Sequence, residues 1–330
     1  MTPDIPPLLR VENLYTRFGT MDGTVTAVEG IDFEVYAGET LGLVGESGCG
    51  KSVTALSILR LLRCPPAAIE GRVLFEGRDL LQMDSDAIRA VRGSEISMIF
   101  QEPMTSLNPV ITIGEQVAEG VRLHRGLTRR QAWDSAVEML QRVQIPSPKA
   151  RAAQYPHKFS GGMRQRAVIA MALSCGPKLI LADEPTTALD VTIQAQIMSL
   201  MMRLKQELNT AIVLITHDLG VVAEAASRVV VMYAGKVVEE APVRDLFKDP
   251  RHPYTRGLLG SVPVIGRTRR RNRRLQEIPG LVPNPLHMPA GCRFNPRCPQ
   301  AMPRCCSEPP PMVRLGEHRR VSCWLEVTGL

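Results

Sequence analysis

The order of apolar and polar positions predicts a β-sheet at the start of the chain. Three stretches alternate apolar and polar residues around Gly19 and Gly23, as the strands of a β-hairpin do: residues 8–18, 24–28 and 31–36. A further short strand pair is expected over residues 71–76. We therefore predict an antiparallel β-subdomain near the N-terminus.

Beyond this sheet, short apolar runs alternate with segments of helical periodicity. Buried strands are predicted at residues 40–44, 178–184 and 211–216, helices at 52–62, 113–143, 163–174 and 191–208, and a hairpin at 228–240. Pro146 and Pro148 are expected to end the second helix. Such alternation is typical of a mostly parallel α/β sheet that binds ligands at the carboxyl ends of its strands. The helical stretch at about 102–160 interrupts it and is interpreted as an inserted subdomain.

Residues Gly45–Ser52 read GESGCGKS and match G-x-x-x-x-G-K-[ST], the phosphate-binding loop or P-loop. Glycine lets successive backbone N–H groups point at phosphate oxygens. Lys51 supplies a charge for the β- and γ-phosphates, and the Ser52 hydroxyl is expected to hold Mg²⁺. The predicted nucleotide-binding set is Gly45, Glu46, Ser47, Gly48, Cys49, Gly50, Lys51 and Ser52. A buried strand before the loop and a helix after it favour a P-loop NTPase (RecA-like) core.

Polar residues at the ends of the predicted strands complete a catalytic hypothesis. Asp183 closes the apolar run LILA and is placed to hold Mg²⁺, while Glu184 beside it could polarise the attacking water. His217 follows the strand AIVLIT, one strand–helix–strand interval later, so we expect it on a neighbouring strand end. Gln101 ends the run SMIF and is expected beside the γ-phosphate, as a further catalytic residue and Mg²⁺ ligand.

Composition limits the class of protein. Of the 330 residues 44% are hydrophobic, and no uninterrupted apolar run reaches the length that spans a bilayer. The N-terminus lacks the basic start and apolar stretch of a signal peptide, so a cytosolic protein is expected. The net charge is −1 for residues 1–262 but +8 for residues 263–330. The basic character therefore belongs to the C-terminal part, and the predicted domains are 1–262 and 263–330.

Six motifs in order resemble the nucleotide-binding subunit of an ABC transporter: GESGCGKS, Gln101, FSGGMRQR at 159–166, LADEP, Ala188-Leu189-Asp190 and His217. In that family the Ser-Gly-Gly element lies at a helix N-terminus and binds the γ-phosphate of ATP held by the opposite subunit. The resemblance assigns this role to Ser160, Gly161 and Gly162, whose hydroxyl and unobstructed N–H groups suit it. Phe159 and Met163 depart from the family consensus LSGGQ.

The same resemblance implies further roles. Asp190 would organise the subunit interface and the bound nucleotide. An aromatic residue near the N-terminus would stack on adenine; Phe18 is the first choice and Tyr15 the second, with a hairpin-core aromatic as the alternative. The segment after Gln101 resembles the surface that receives a permease helix.

The segments DPRHPYTRGLLGSVP at 249–263 and GCRFNPRCPQAMPRC at 291–305 resemble the C-terminal extension of dipeptide and oligopeptide importer ATPases of the D type. Cys292, Cys298, Cys305 and Cys323 suit zinc or a [4Fe–4S] cluster, with free thiols as the remaining alternative. The resemblance favours the cluster, with Cys306 able to replace Cys305. The run Arg267–Arg274 is interpreted as a solvated linker, with anionic lipid or an acidic partner as alternatives.

The resemblance as a whole implies an ATP-hydrolysing motor subunit of a peptide importer at the cytoplasmic face of the membrane. It would pair head to tail with a second ATPase, a paralogue or itself, and serve two permeases and an external binding protein. The alternatives are an importer of another solute such as nickel, a soluble ABC ATPase acting on ribosomes or DNA, and a regulatory nucleotide sensor. No nucleic-acid partner is expected, because no aromatic residues interleave with the arginines.

Overall fold

The computed structural model describes residues 6–102, 106–187, 189–261 and 277–327. Its chain divides into two compact units. The P-loop unit comprises residues 9–34, 41–81 and 216–330, and the helical unit comprises residues 1–8, 35–40 and 82–215. Each unit is described by itself.

The strands, in chain order, are β1 (Leu9–Thr20), β2 (Gly23–Val35), β3 (Thr40–Val44), β4 (Ala67–Phe75), β5 (Arg78–Asp79), β6 (Ile96–Ile99), β7 (Leu179–Asp183), β8 (Ala211–Thr216), β9 (Arg228–Tyr233), β10 (Lys236–Pro242), β11 (Met312–Gly316) and β12 (Arg319–Ser322). The helices are α1 (Lys51–Ile58), α2 (Ser85–Val91), α3 (Ile113–Arg125), α4 (Arg129–Arg142), α5 (Pro148–Ala152), α6 (Gly161–Leu173), α7 (Val191–Leu208), α8 (Leu219–Ala225), α9 (Val243–Lys248), α10 (Pro253–Gly260) and α11 (Pro303–Ser307).

The P-loop unit contains two sets of strands. One is a four-stranded sheet in the order β2-β1-β4-β5, in which β1 pairs antiparallel with β4 and β4 with β5. This confirms the predicted N-terminal β-subdomain. In the other set, β3 runs parallel to β9, and β9, β10, β12 and β11 follow as antiparallel neighbours. The C-terminal hairpin β11–β12 therefore covers the edge of β10, which prevents that edge from pairing with another chain.

The helical unit contains the parallel strands β6, β7 and β8, with β7 between the other two. Every residue of β7 and β8 is buried, as is typical of parallel strands covered on both faces. Helices α3 to α5 follow β6 and lie within residues 102–160, where an inserted helical subdomain was predicted, and α6 corresponds to the helix predicted over 163–174. The adjacency of β7 and β8 confirms that the strands preceding Glu184 and His217 are neighbours.

Two helix predictions were wrong in their extent. Helix α1 ends at Ile58 instead of residue 62, and Arg60 just beyond it has a left-handed backbone with φ of 51°. The helix predicted over 113–143 is two helices, because Gly126 ends α3 in a left-handed conformation and Thr128 starts α4 with a capping box. Pro148 begins α5 rather than ending a helix, as its fixed φ suits the first helical turn.

The described C-terminal residues share the core of the P-loop unit. The Phe294 ring packs against Tyr233 and Tyr254, with ring centroids 5.2 and 5.4 Å away, and the two tyrosine rings lie 4.6 Å apart. Residues of β3, β9 and α8 belong to the same apolar cluster. Burying three aromatic rings together contributes several kcal/mol, so this part of the extension is anchored by hydrophobic packing as well as by strand pairing.

Candidate functional site

The P-loop joins the buried strand β3 to the N-terminus of α1. Gly50 caps α1 with φ of 99°, and a Cβ at this position would lie 2.5 Å from the carbonyl oxygen of Ala27. A side chain is therefore excluded here by both backbone conformation and space. Ser47 and Gly48, on the outer side of the loop, are exposed. The loop thus lies at a helix N-terminus with an exposed outer side, and binding of phosphate by its backbone N–H groups stays a prediction.

Lys51 is held by the loop itself. Its ammonium Nζ donates to the carbonyl oxygens of Gly45 at 2.8 Å and Glu46 at 3.0 Å, and it lies 3.7 Å from Sγ of Cys49. The side chain is buried, with 6% of its surface exposed. Burial raises the pKa of the Cys49 thiol, which keeps this cysteine protonated beside the charged lysine. Ser52 is half-buried in the first turn of α1.

Glu184 lies directly after β7 in the helical unit, and two side chains orient its carboxylate. Gln101 Nε2 donates to Oε2 of Glu184 at 3.0 Å, and the Thr187 hydroxyl donates to the same oxygen at 2.8 Å. The Glu184 backbone has φ of 46°, a conformation that costs energy for a residue with a side chain. Asp183, the last residue of β7, is 4% exposed. The sequence predicted Gln101 and Glu184 separately, and the structure brings them together.

Thr187 was missed by sequence reasoning. The sequence feature that could have identified Thr187 is its position three residues after Glu184. In the structure both residues belong to the turn after β7, where the Thr187 backbone N–H also donates to the Glu184 carbonyl. A hydroxyl at this spacing reaches back to the carboxylate.

Ser160 is the N-cap of α6, and its Oγ accepts a hydrogen bond from the Met163 backbone N–H at 3.3 Å. Ser160 and Gly161 are exposed, whereas Phe159 is buried. Phe159, which departs from the consensus, is therefore a core residue. Ser160 faces solvent at the N-terminus of α6, where the helix dipole is positive. Asp190 caps α7 in the same way and accepts from the Ile193 N–H at 2.9 Å.

His217 follows β8 directly, is exposed, and precedes Asp218, the N-cap of α8. His217 belongs to the P-loop unit and Asp183 to the helical unit, so the predicted approach of the two stays a prediction. Phe18 is half-buried near the end of β1, where it pairs with Ala67 of β4. The Arg17 guanidinium lies over the Tyr15 ring, 4.7 Å from its centroid, and the preference for Phe18 as the adenine platform stays a prediction.

The four candidate metal-ligating cysteines line one small cavity: Cys292, Cys298, Cys305 and Cys323. Burial raises the pKa of the Cys323 thiol to about 11, and the three other thiols near it add to this rise. Burial likewise raises the pKa of Cys292 and Cys298. Cys306 is exposed. Among the described residues, however, no three His, Cys, Asp or Glu side chains are grouped so as to hold a metal ion.

Some sequence predictions fall outside the described residues: Ala188 of the Ala-Leu-Asp element and the arginine run 267–274. In the described ranges no helix combines the length and apolarity needed to cross a bilayer.

Comparison with protein-family models identifies two matches. Residues 28–187 match the ABC transporter family, and residues 238–305 match the oligopeptide/dipeptide transporter C-terminal region. Among similar proteins, the oligopeptide transport ATP-binding protein AppD of Bacillus subtilis is 52% identical over 319 residues, covering 96% of each chain. The oligopeptide transport ATP-binding protein OppD of Haemophilus influenzae is 50% identical over 319 residues, covering 97% of each.

Solved structures with the same fold are ABC cassettes. The dimeric ATP-binding cassette MJ0796 bound to ADP and Pi has a TM-score of 0.64 at 28% identity, covering 72% of this chain and 99% of that chain. CbiO1 of Clostridium perfringens, part of an ABC transporter complex, has a TM-score of 0.63 at 28% identity, covering 74% and 91%. The predicted α/β P-loop NTPase fold is thereby confirmed as the ABC cassette. The chain belongs to the ABC transporter family, in its group of oligopeptide and dipeptide transport ATP-binding subunits.

Proposed function

We propose that this chain is an ATP-hydrolysing motor subunit of an importer that takes up dipeptides or oligopeptides. The observation that carries the ATPase role is the Glu184 carboxylate, held by Gln101 and Thr187 at the end of β7. A carboxylate fixed in this way is suited to accept a proton from an attacking water. The cargo is inferred from the relatives, which are named as oligopeptide and dipeptide transport proteins.

The proposed roles follow the sequence assignments. The P-loop N–H groups and Lys51 bind the nucleotide phosphates, and Phe18 stacks on adenine. Glu184 acts as the general base, with His217 and Gln101 assisting. Ser52, Gln101 and Asp183 are the proposed ligands of Mg²⁺, which when bound neutralises charge developing on the phosphate oxygens.

A second ATPase subunit is proposed to complete each nucleotide site. Ser160, Gly161 and Gly162 would bind the γ-phosphate of ATP held by the partner subunit, because they present a hydroxyl and backbone N–H groups at a helix N-terminus. Asp190 would support the same interface. The dimeric state of MJ0796 supports this arrangement. The partner, a paralogue or a second copy, would join two permeases at the cytoplasmic face of the membrane, with an external binding protein delivering peptide.

The test is ATP-driven uptake by the assembled transporter in liposomes. Complexes containing this chain should accumulate labelled di- and oligopeptides when ATP is enclosed on the side of the ATPases, and the same peptides should stimulate ATP hydrolysis. Uptake of nickel without peptide uptake would favour the metal-importer alternative. Co-purification of the chain with ribosomes or DNA instead of permeases would overturn the transporter assignment.

The cysteine cavity supports a second proposal, a [4Fe–4S] cluster held by Cys292, Cys298, Cys305 and Cys323. Four thiols converge on one cavity, although no three of them are close enough to surround a single ion. The cluster is preferred to zinc because the sequence lacks the paired C-x₂₋₄-C knuckles that zinc sites more often use. The Met302 backbone N–H, 3.4 Å from the Cys305 sulfur, would stabilise a thiolate ligand.

A further inference from the structure

All three polar groups of Glu46, the second residue of the P-loop, are engaged. Its backbone N–H donates to the Tyr254 hydroxyl at 2.8 Å, and its carbonyl accepts from Lys51 Nζ at 3.0 Å. Its carboxylate receives two hydrogen bonds from Arg297, at 2.6 Å from Nη1 and 3.0 Å from Nη2. Glu46 thus joins the phosphate-binding lysine to two residues more than 200 positions later in the chain.

Hydrogen bonds to groups other than Glu46 constrain the Arg297 side chain. Its side chain is 4% exposed, and its Nε donates to the Pro279 carbonyl at 2.9 Å. Further donors reach the Ile278 carbonyl at 3.3 Å and the Tyr233 hydroxyl at 3.4 Å. The hydrogen bond with Glu46 raises the pKa of the guanidinium, which stays charged. Since a planar guanidinium with these partners has little freedom to move, the Glu46 carboxylate is held in a defined position.

Tyr254 is equally constrained. Its ring is fully buried between Tyr233 and Phe294, and its backbone N–H donates to Nδ1 of the buried His252. The position of the Tyr254 hydroxyl is therefore restricted, and there it accepts a hydrogen bond from the Glu46 backbone N–H.

A second contact reaches the other side of the loop. Arg293 donates to the carbonyl of Ala234, and the next residue, Gly235, donates from its backbone N–H to the Cys49 carbonyl at 3.0 Å. Arg293 and Arg297 both lie in the short segment between Cys292 and Cys298. The C-terminal extension thus contacts the P-loop directly at Glu46 and, through Ala234 and Gly235, indirectly at Cys49.

We propose that Arg297 and Tyr254 are positioning residues of the ATP site, which hold the P-loop in its nucleotide-binding conformation. A loop that is ordered before binding does not spend binding free energy on its own ordering. Without these contacts, part of the binding free energy of ATP would be spent on ordering Glu46. Lys51 would also be less ordered, because its ammonium group donates to the Glu46 carbonyl. This role rests on the proposed binding of ATP by the P-loop, and it requires neither the cluster nor a particular cargo; failure of the wild-type chain to bind the ATP analogue would count against that binding function itself.

The test compares Arg297→Met, Arg297→Lys and Tyr254→Phe in the full-length chain. Affinity is measured with a fluorescent ATP analogue, and KM for ATP and kcat are measured in the assembled transporter. Loss of a charge-assisted hydrogen-bonded pair should weaken nucleotide affinity about tenfold in Arg297→Met. Tyr254→Phe keeps the buried ring and should weaken affinity by a few-fold. Arg297→Lys keeps the charge but not the two-point contact, so its affinity should be intermediate. KM should rise while kcat at saturating ATP changes little.

Arg319→Met is the matched control, because Arg319 is a partly buried arginine of the same extension that pairs with Asp249, away from the P-loop. It should keep wild-type affinity for the analogue. Circular dichroism and melting temperature identify any variant that fails to fold, and in that case Tyr254→Phe still tests the role. Wild-type affinity in well-folded Arg297→Met and Tyr254→Phe, or an equal loss in Arg319→Met, would overturn the proposal.

Discussion

Gln101 and Glu184 follow two neighbouring parallel strands and meet through a hydrogen bond of 3.0 Å from Nε2 to Oε2. The glutamine is exposed just past β6, and the glutamate has a left-handed backbone just past β7. Because Thr187 donates to the same carboxylate oxygen, Glu184 is oriented from two sides. Any movement of the segment after β6 would therefore change the position of the proposed general base.

Replacing Glu184 with Gln should stop ATP hydrolysis while ATP binding persists. The amide cannot accept a proton from water, and loss of a general base typically reduces the rate about 10²–10⁴-fold. Phosphate release by the assembled transporter and retention of radiolabelled ATP by the variant would measure the two effects.

Glu207→Gln is the control for this substitution, since Glu207 is an exposed residue of α7 that pairs with Arg203 along the same helix. It should hydrolyse ATP at the wild-type rate. Turnover persisting in a complex whose every ATPase subunit carries the Glu184→Gln change would show that another residue acts as the base.

Thr187→Val should lower kcat about tenfold with little change in KM for ATP, because it removes one hydrogen bond that orients Glu184 and leaves the P-loop intact. Steady-state kinetics over a range of ATP concentrations separate the two constants. A rise in KM with unchanged kcat would mean that Thr187 acts in binding instead of orientation.

Sequence patterns predicted the elements that carry strong local signals. The helix expected over 191–208 has those bounds in the structure, since Asp190 caps its start and Asn209 ends it in a left-handed conformation. The P-loop was equally predictable from the sequence, because its glycines and lysine occupy fixed spacings. The break between α3 and α4 was missed although Gly126 and the Thr128–Gln131 capping box were visible in the sequence.

Contacts between residues that are far apart in the sequence have no local sequence signal of this kind. Arg297 lies 251 positions after Glu46, and only folding of the extension onto the P-loop unit brings their charges together. The hairpin β11–β12 was also missed, since its edge pairing with β10 is a tertiary contact that local alternation over a few residues does not specify.

Glu240→Gln should destabilise the P-loop unit by about 3–5 kcal/mol, because it breaks a buried ion pair and leaves a buried guanidinium charge uncompensated. Glu240 lies 2.5 Å from Arg228, and both side chains are less than one-tenth exposed; its other oxygen accepts from Arg320 of β12 at 2.7 Å. Unfolding in urea measures the loss. Arg89→Met, which breaks an exposed pair with Asp86, should cost less than about 1 kcal/mol, and an equal loss in both variants would contradict this prediction.

Stability should fall as the pH drops below 6.5, in part because of His252. Burial lowers the pKa of this histidine from 6.5 to about 3, so below pH 6.5 the unfolded chain binds a proton that the folded chain does not. Its contribution to stability is therefore complete above pH 6.5 and is lost progressively between pH 6.5 and 3, by at most about 1.4 kcal/mol per pH unit.

The measurement is urea unfolding at pH 7, 6 and 5 for the wild type and His252→Asn. Asparagine can still accept the Tyr254 N–H as a helix cap but does not titrate. Stability of the variant should depend less steeply on pH in this window, while carboxylates nearby, including Glu239, remain the same in both proteins. Parallel pH profiles would show that His252 is not the group responsible.

Replacing Cys298 or Cys323 with Ser should abolish binding of the proposed [4Fe–4S] cluster, whereas Cys306→Ser should not affect it. Cys298 and Cys323 line the shared cavity, while Cys306 is exposed beside Cys305 and outside that lining. The protein is purified anaerobically, and iron, sulfide, zinc and visible absorbance are measured. About four irons and four sulfides per chain, lost in the two cavity variants and kept in Cys306→Ser, are expected for a [4Fe–4S] cluster. One zinc per chain without iron would identify a zinc site, and iron retained in Cys298→Ser would mean that this thiol is not a ligand.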